Sequence, residues 1–260
     1  MSNKGQASRR AGRRTVLGLV CASMLLCAAA RAQPENQPEF PKPDEDGTVE
    51  VALGSSLHTL VVLLSGDGGW WGDLDAQLGN YLAARGYGVV GVDTSVYFND
   101  ERTRSEMSAH MLALLHNYGR LMKARHVVLI GYSFGANVVP LIYNDLPRAD
   151  KALVTDLVLL APEQTADLVV TLSGRIGIGR GEIDLAPEMQ KLPPAATACI
   201  YGVEEADQSG CFLPGIRPSS RVALPGSHHF DKDPEHLGRL TVSLIESAGR
   251  RSAPPHHVGK

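Results

Sequence analysis

The sequence predicts an α/β fold, a mostly parallel central sheet with helices on both faces, and three observations carry that prediction. Apolar, β-branched runs alternate with stretches of helical periodicity through most of the 260 residues. Short turns join them, as βαβ units require. One such run, Val127-Val128-Leu129-Ile130, passes directly into Gly131-Tyr132-Ser133-Phe134-Gly135 and then into a helical stretch. Strand, Gly-x-Ser-x-Gly, helix is the arrangement of a nucleophile elbow, which narrows the prediction to an α/β-hydrolase fold. The serine occupies a tight, strained turn, and bulk two residues to either side would collide with the flanking strand and helix. The turn leaves the hydroxyl exposed at the edge of the sheet.

The first residues are read as a leader rather than as fold. Arg9, Arg10, Arg13 and Arg14 precede an apolar run from Val16 to Ala30, and Ala30-Arg31-Ala32 fits a small-x-small cleavage site. Residues 1–32 are therefore expected to be an export signal, cut near Ala32, with a periplasmic destination. Paired arginines in Gly12-Arg13-Arg14-Thr15-Val16-Leu17 resemble a twin-arginine signal, and Sec export stays equally open. Leu26 before Cys27 argues against a lipoprotein signal, and the run is short for a membrane span. The leader holds Lys4 and five arginines and no acid. Without those six cations, 19 of the 25 basic residues face 28 acidic ones, a formal charge of −9. A basic nucleic-acid surface is thereby excluded, and a cationic ligand is favoured. Two of the four cysteines leave with the leader. Cys199 and Cys211 remain, an even pair in an oxidising compartment, and are expected to form a disulfide.

The mature chain reads in order as follows. Residues 33–47, rich in Pro, Glu and Asp, form a flexible linker. The hydrolase domain spans 48–248. Thr48 to Leu53 is an edge strand. Leu57 to Leu64 is a second apolar run, ending in Ser65-Gly66-Asp67-Gly68-Gly69-Trp70-Trp71. Leu74 to Arg85 has helical spacing, with Gly86 as its C-cap. Gly88 to Val92 is a strand ending at Asp93, and Thr103 to Arg125 a long amphipathic helix. Beyond the serine, Ala136 to Tyr143 is helical, with Pro140 expected to kink it or end it early. Asp156 to Leu160 is a strand, residues 167–195 are less regular, and Thr197 to Tyr201 and Ser220 to Leu224 are two more strands. Leu237 to Ser247 is the last helix, and 249–260 a disordered tail. Aromatic residues are only 5% of the chain, so the core is one of Leu, Val and Ala.

Functional residues in such sheets collect at the carboxyl ends of strands. Asp67, Asp93, Ser133, Glu163, the stretch Glu204 to Asp207 and the pair His228-His229 all follow predicted strands, and are expected on one rim. Ser133 needs a base, and histidine suits that near neutral pH. His229, just before Phe230, is preferred, with His228 as its rival. Asp207 is preferred as the orienting acid, Glu205 is the close second, and Glu163 occupies a further position on the rim. The amides of Asp67 and Phe134 are expected to form the oxyanion hole. Gly66, Trp70 and Tyr97 are expected at the substrate pocket, with Trp71 and Phe98 beside them; packing beneath the rim is the alternative for these aromatics. Adjacent histidines point apart and have no ligand-spaced partner, so no metal is expected, and no cofactor. No Gly-Lys-Ser/Thr follows the glycines of the 65–69 loop, which argues against phosphate binding.

Four segments together carry a family resemblance: LLSGDGGWWGDLDAQLGNYLAARGYGVVGVDTSVYF, GYSFGANVVPLIYNDLP, CIYGVEEADQSGC and GSHHFD. They resemble the bacterial virulence protein VirJ/AcvB family over roughly residues 48 to 248. The resemblance implies an α/β-hydrolase fold, a periplasmic location, and hydrolysis of aminoacyl-phosphatidylglycerol, lysyl-phosphatidylglycerol above all. It also implies a link to type IV secretion, with secretion-system or exported proteins as further partners. Matching motif by motif, it makes Ser133 the nucleophile, Asp207 the acid and His229 the base, and it matches the Cys199/Cys211 pair. Hydrolysis of other esters or thioesters, or a binding role without turnover, are the competing readings.

Overall fold

The computed structural model describes residues 42–70, 74–171 and 181–252; the expected leader and part of the expected linker and tail lie outside them. Nine strands are seen among these residues: β1 Thr48–Ala52, β2 Thr59–Leu64, β3 Gly88–Val92, β4 His126–Tyr132, β5 Val154–Leu160, β6 Thr165–Ala166, β7 Ile183–Asp184, β8 Thr197–Gly202 and β9 Arg221–Leu224. The helices are α1 Leu74–Ala83, α2 Thr94–Tyr97, α3 Arg104–Leu121, α4 Phe134–Asp145, α5 Arg148–Lys151, α6 Ala186–Met189 and α7 Pro234–Ser252. Seven strands make the main sheet in the order β1-β3-β2-β4-β5-β8-β9, and β6 pairs with β7 apart from it. Only β1 runs antiparallel within the main sheet. The expected fold class is the one observed.

Every residue of β2 is buried, and the strand's two-residue period divides them between two core layers. Leu60, Val62 and Leu64 meet Met107, Met111, Val138 and Leu141 of α3 and α4. Val61 and Leu63 meet Leu74, Leu78 and Leu82 of α1 and Leu237 of α7. Each such leucine contributes about 2 kcal/mol by leaving water. Right-handed crossovers dictate the faces. The chain moves one way from β2 to β3, then returns past β2 to β4, so the intervening helices α1 and α3 fall on opposite sides. At that reversal the loops after β2 and β4 lead to helices on opposite faces of the sheet, at its carboxyl end. The site lies there.

Element ends differ modestly from expectation. Thr103 caps α3 through a reciprocal box with Glu106, but the helix stops at Leu121 rather than Arg125. Lys123 then adopts φ 51°, which turns the chain back toward β4. α4 does not end early: it continues through Pro140 to Asp145. Pro140 is fully buried, and packing on the sheet offsets the missing amide bond. The less regular stretch contains β7 and α6, and the last helix extends to Ser252.

Candidate active site

Ser133, between β4 and α4, has φ 54° and ψ −118°, a conformation costly for any residue with a side chain. Its surroundings enforce it. A Cβ on Gly131 would strike the Gly135 carbonyl and the Ala136 amide, and one on Gly135 would strike the carbonyls of Leu64 and Ser65. The Ser133 amide donates to Leu160 O of β5 at 2.8 Å, and the Gly135 amide to Ser65 O at 3.1 Å. The elbow is thus tied to the strands on both sides of it.

Held in this way, Ser133 Oγ lies 2.7 Å from His228 Nε2, and His228 Nδ1 lies 3.1 Å from Glu205 Oε2. With its proton on Nδ1, the imidazole donates to the carboxylate and accepts from the hydroxyl. Both preferences among the alternatives therefore change. His229 is exposed and turns Nδ1 to the Tyr132 hydroxyl at 2.6 Å. The planes of the two imidazoles lie 86° apart, because consecutive loop residues project in different directions and only one can face the serine. Asp207 is exposed, and its backbone carbonyl accepts from Gln164 Nε2. The 3₁₀ turn Val203–Glu205 sets the acid. Asp207 lies beyond that turn, past its C-terminal cap Ala206.

The loop after β2 abuts the nucleophile: a Cβ on Gly66 would lie 3.4 Å from Ser133 Cβ. This loop is braced from below. Buried Asp75 accepts from the Gly66 amide at 3.1 Å, and Thr94 donates through Oγ1 to Gly66 O at 2.7 Å and through its amide to Ser65 Oγ at 3.0 Å. Asp75 thus occupies the Gly66 amide, leaving Asp67 as the next amide on the loop. Phe134 is the first residue of α4, where an amide has no intrahelical acceptor. These two amides are the ones an oxyanion beside Ser133 could use.

The aromatic residues expected at the pocket are core residues instead. Trp70 is 2% exposed and packs on Gly91, where a Cβ would come within 2.7 Å of the indole. Tyr97 is 4% exposed, edge-on to Phe98 and tilted against His110. Asp93 is also below the rim: its carboxylate caps α2 through Ser95 and Val96 and accepts from the Trp70 amide. Large apolar side chains so close to the sheet find more contact beneath it than above it. Trp71 lies outside the described residues.

Glu163, just after β5, is open to solvent on one side and on the other is joined twice to Asn137 on the first turns of α4. Its amide donates to Asn137 Oδ1 at 2.8 Å, and its Oε2 accepts from Asn137 Nδ2 at 3.3 Å. Burial pushes its carboxyl pKa up, partly countered by the nearby His228 and the Asn137 bond, and reinforced by Asp67 and Asp167. Asn137, Asp75 and Tyr132 were not singled out in the sequence, although Asn137 is the one polar residue in the apolar run Ala136-Asn137-Val138-Val139. The Cys199–Cys211 disulfide is present, Cα–Cα 5.5 Å, and closes the segment that carries Glu205. Among the described residues, no cluster of His, Cys, Asp or Glu is arranged to hold a metal ion.

Comparison with known proteins bears on family and fold. The family model described as bacterial virulence protein (VirJ) matches residues 58–249. No curated protein sequence matches the chain. Among solved structures, a proline iminopeptidase from Mycobacterium smegmatis aligns with a TM-score of 0.57 at 11% identity, over 79% of this chain and 96% of that one. Est1E from Butyrivibrio proteoclasticus aligns at 0.53 and 13% identity, over 84% and 92%. MenH from S. aureus aligns at 0.53 and 12% identity, over 78% and 98%. These likenesses establish a shared α/β-hydrolase fold.

Proposed function

The chain belongs to the bacterial virulence protein (VirJ) family, and on that premise we propose that it is a periplasmic serine esterase that cleaves the aminoacyl ester of aminoacyl-phosphatidylglycerol, the lysyl ester in particular. The observation that carries the reading is the relay from Ser133 Oγ through His228 to Glu205, at 2.7 and 3.1 Å. His228 takes the hydroxyl proton as Ser133 attacks the aminoacyl carbonyl, and Glu205 stabilises the imidazolium that forms. The amides of Asp67 and Phe134 receive the oxyanion. As the tetrahedral intermediate collapses, His228 returns the proton to the departing glycerol oxygen of the lipid. Water, deprotonated by the same imidazole, then releases the amino acid from Ser133. Two further observations support the substrate class: Asp67, Glu163 and Glu205 put negative charge around the nucleophile, and the family resemblance concerns lysylated lipid. The Cys199–Cys211 disulfide supports an exported location.

Vesicles containing lysyl-phosphatidylglycerol, incubated with the purified mature protein, provide the test. Wild type releases lysine, and Ser133→Ala lowers the rate by roughly 10³-fold or more. Equal release by the two proteins would refute the proposal.

A further inference from the structure

We propose that Glu163 receives the α-ammonium group of an aminoacyl ester whose carbonyl lies at Ser133, an assignment that rests on the esterase reading above. Glu163 is built into the nucleophile's own support. β5 pairs with β4 as far as Tyr132 and Leu160, and Leu160 O receives the Ser133 amide, so Glu163 emerges three residues beyond the strand position that anchors the serine. Asn137 then fixes Glu163 from the other side. Its own amide donates to Ser133 O at 3.1 Å while its side chain bonds both the amide and the carboxylate of Glu163.

The chemistry of Glu163 is incomplete without a ligand. Among the described residues its carboxylate has the single Asn137 bond and no ion pair. Burial disfavours its anion, and the neighbouring carboxylates of Asp67 and Asp167 add to that cost. An acid that opens to solvent on one side and has other carboxylates near it is stabilised most by an arriving cation. The nearby imidazole of His228 is committed to Ser133 and Glu205. In an aminoacyl ester the nitrogen is one carbon from the attacked carbonyl, whatever the side chain. A cation in that position falls beside the serine, on the strand next to it, where Glu163 stands. The phosphate of the leaving lipid would be repelled by the same carboxylate, so one group orients both halves of the substrate.

Glutamine keeps the shape of Glu163 and its bond from Asn137 but removes the charge. The probes are the 4-nitrophenyl esters of alanine and of propionic acid, which differ only in the ammonium group, assayed at pH 7 with wild type, Glu163→Gln and Glu163→Asp. Glu163→Gln is expected to lower kcat/KM for the alanyl ester roughly tenfold or more, chiefly through KM, and to leave the propionyl ester within about twofold, with partial recovery in Glu163→Asp. Equal losses on both esters would show that Glu163 acts through His228 rather than on substrate, and no loss on either would show that it does neither; each result overturns the assignment and spares the esterase reading. Cleavage of neither ester by wild type would overturn that reading and this assignment with it.

Discussion

Which of two adjacent imidazoles faces Ser133 is decided by their neighbours. His228 is bonded to the hydroxyl, whereas His229 is bonded to Tyr132, whose hydroxyl also lies 3.3 Å from the His228 carbonyl. His228→Ala is accordingly expected to lower kcat/KM by roughly 10³-fold or more, and His229→Ala by about tenfold at most, through loosening of the loop. A larger loss in His229→Ala would reverse the assignment. Glu205→Gln and Asp207→Asn form the matching pair for the acid. The first is expected to cost roughly 10- to 100-fold, because Glu205 is partly exposed and water shares its role, and the second about nothing. The strained elbow at Ser133 was legible in the sequence because Gly-x-Ser-x-Gly is a steric requirement, written in the residues that avoid the clash. The histidine and the carboxylate that line up with Ser133 were legible only as short runs. Which member of His228-His229, or of Glu204 to Asp207, points inward depends on loop dihedrals, which no local periodicity encodes. Asn137 and Tyr132 escaped for a different reason: their partners are distant in sequence and meet them only after the sheet has formed.

At the level of elements, the segment from β8 to the turn Gly210–Phe212 acts as a unit. The disulfide joins its ends, the 3₁₀ turn bearing Glu205 lies between them, and the Gly210 amide donates to Pro162 O at 2.7 Å, next to Glu163. Both sulfurs are buried, so the bond is shielded as well as structural. Closing a loop whose ends are 12 residues apart is expected to contribute about 3 kcal/mol in the chain-entropy model. A Cys199→Ala/Cys211→Ala double variant should lose about that much unfolding free energy, read as a lower urea midpoint. It should also lose kcat more than KM affinity, since the acid rather than the binding surface is loosened. An unchanged urea midpoint would remove the bond from the list of stabilising elements. The pairing itself followed from the sequence, because with the expected leader set aside two cysteines remain and leave one possible partner each. That Trp70 and Tyr97 would pack beneath the rim did not follow. An aromatic residue in a glycine-rich loop reads the same whether it faces solvent or the sheet, and here Gly91 opens the space that draws Trp70 inward.

At the scale of the whole molecule, three helices meet at a charged junction. Arg104 of α3 donates to Asp145 of α4 at 2.7 Å and to Glu188 of α6 at 2.9 Å, and Glu188 also accepts from Asn144 at 2.6 Å and Lys191 at 3.2 Å. The Arg104 bond, with help from Asn144 and Lys191, holds the Glu188 carboxyl at about 2 despite its burial. For Asp145, burial alone would raise the pKa, but the bonds from Arg104 and Ser108 outweigh it and the carboxyl is held low as well. The sign of the pH dependence follows. An unfolded glutamate takes up its proton near 4.5, whereas the folded one resists until about 2, so as pH falls through that window the unfolded state binds protons first. The junction therefore stabilises the fold fully above about pH 5, and that contribution is lost progressively toward pH 2. Glu188→Gln should cost about 1 kcal/mol at pH 7, a modest figure because Arg104 is a third exposed and its charge is screened. Its urea midpoint should also fall less than that of wild type between pH 6 and pH 3, since the group that titrates there has been removed. Parallel losses in the two proteins over that interval would show that the junction is not what makes the fold sensitive to acid.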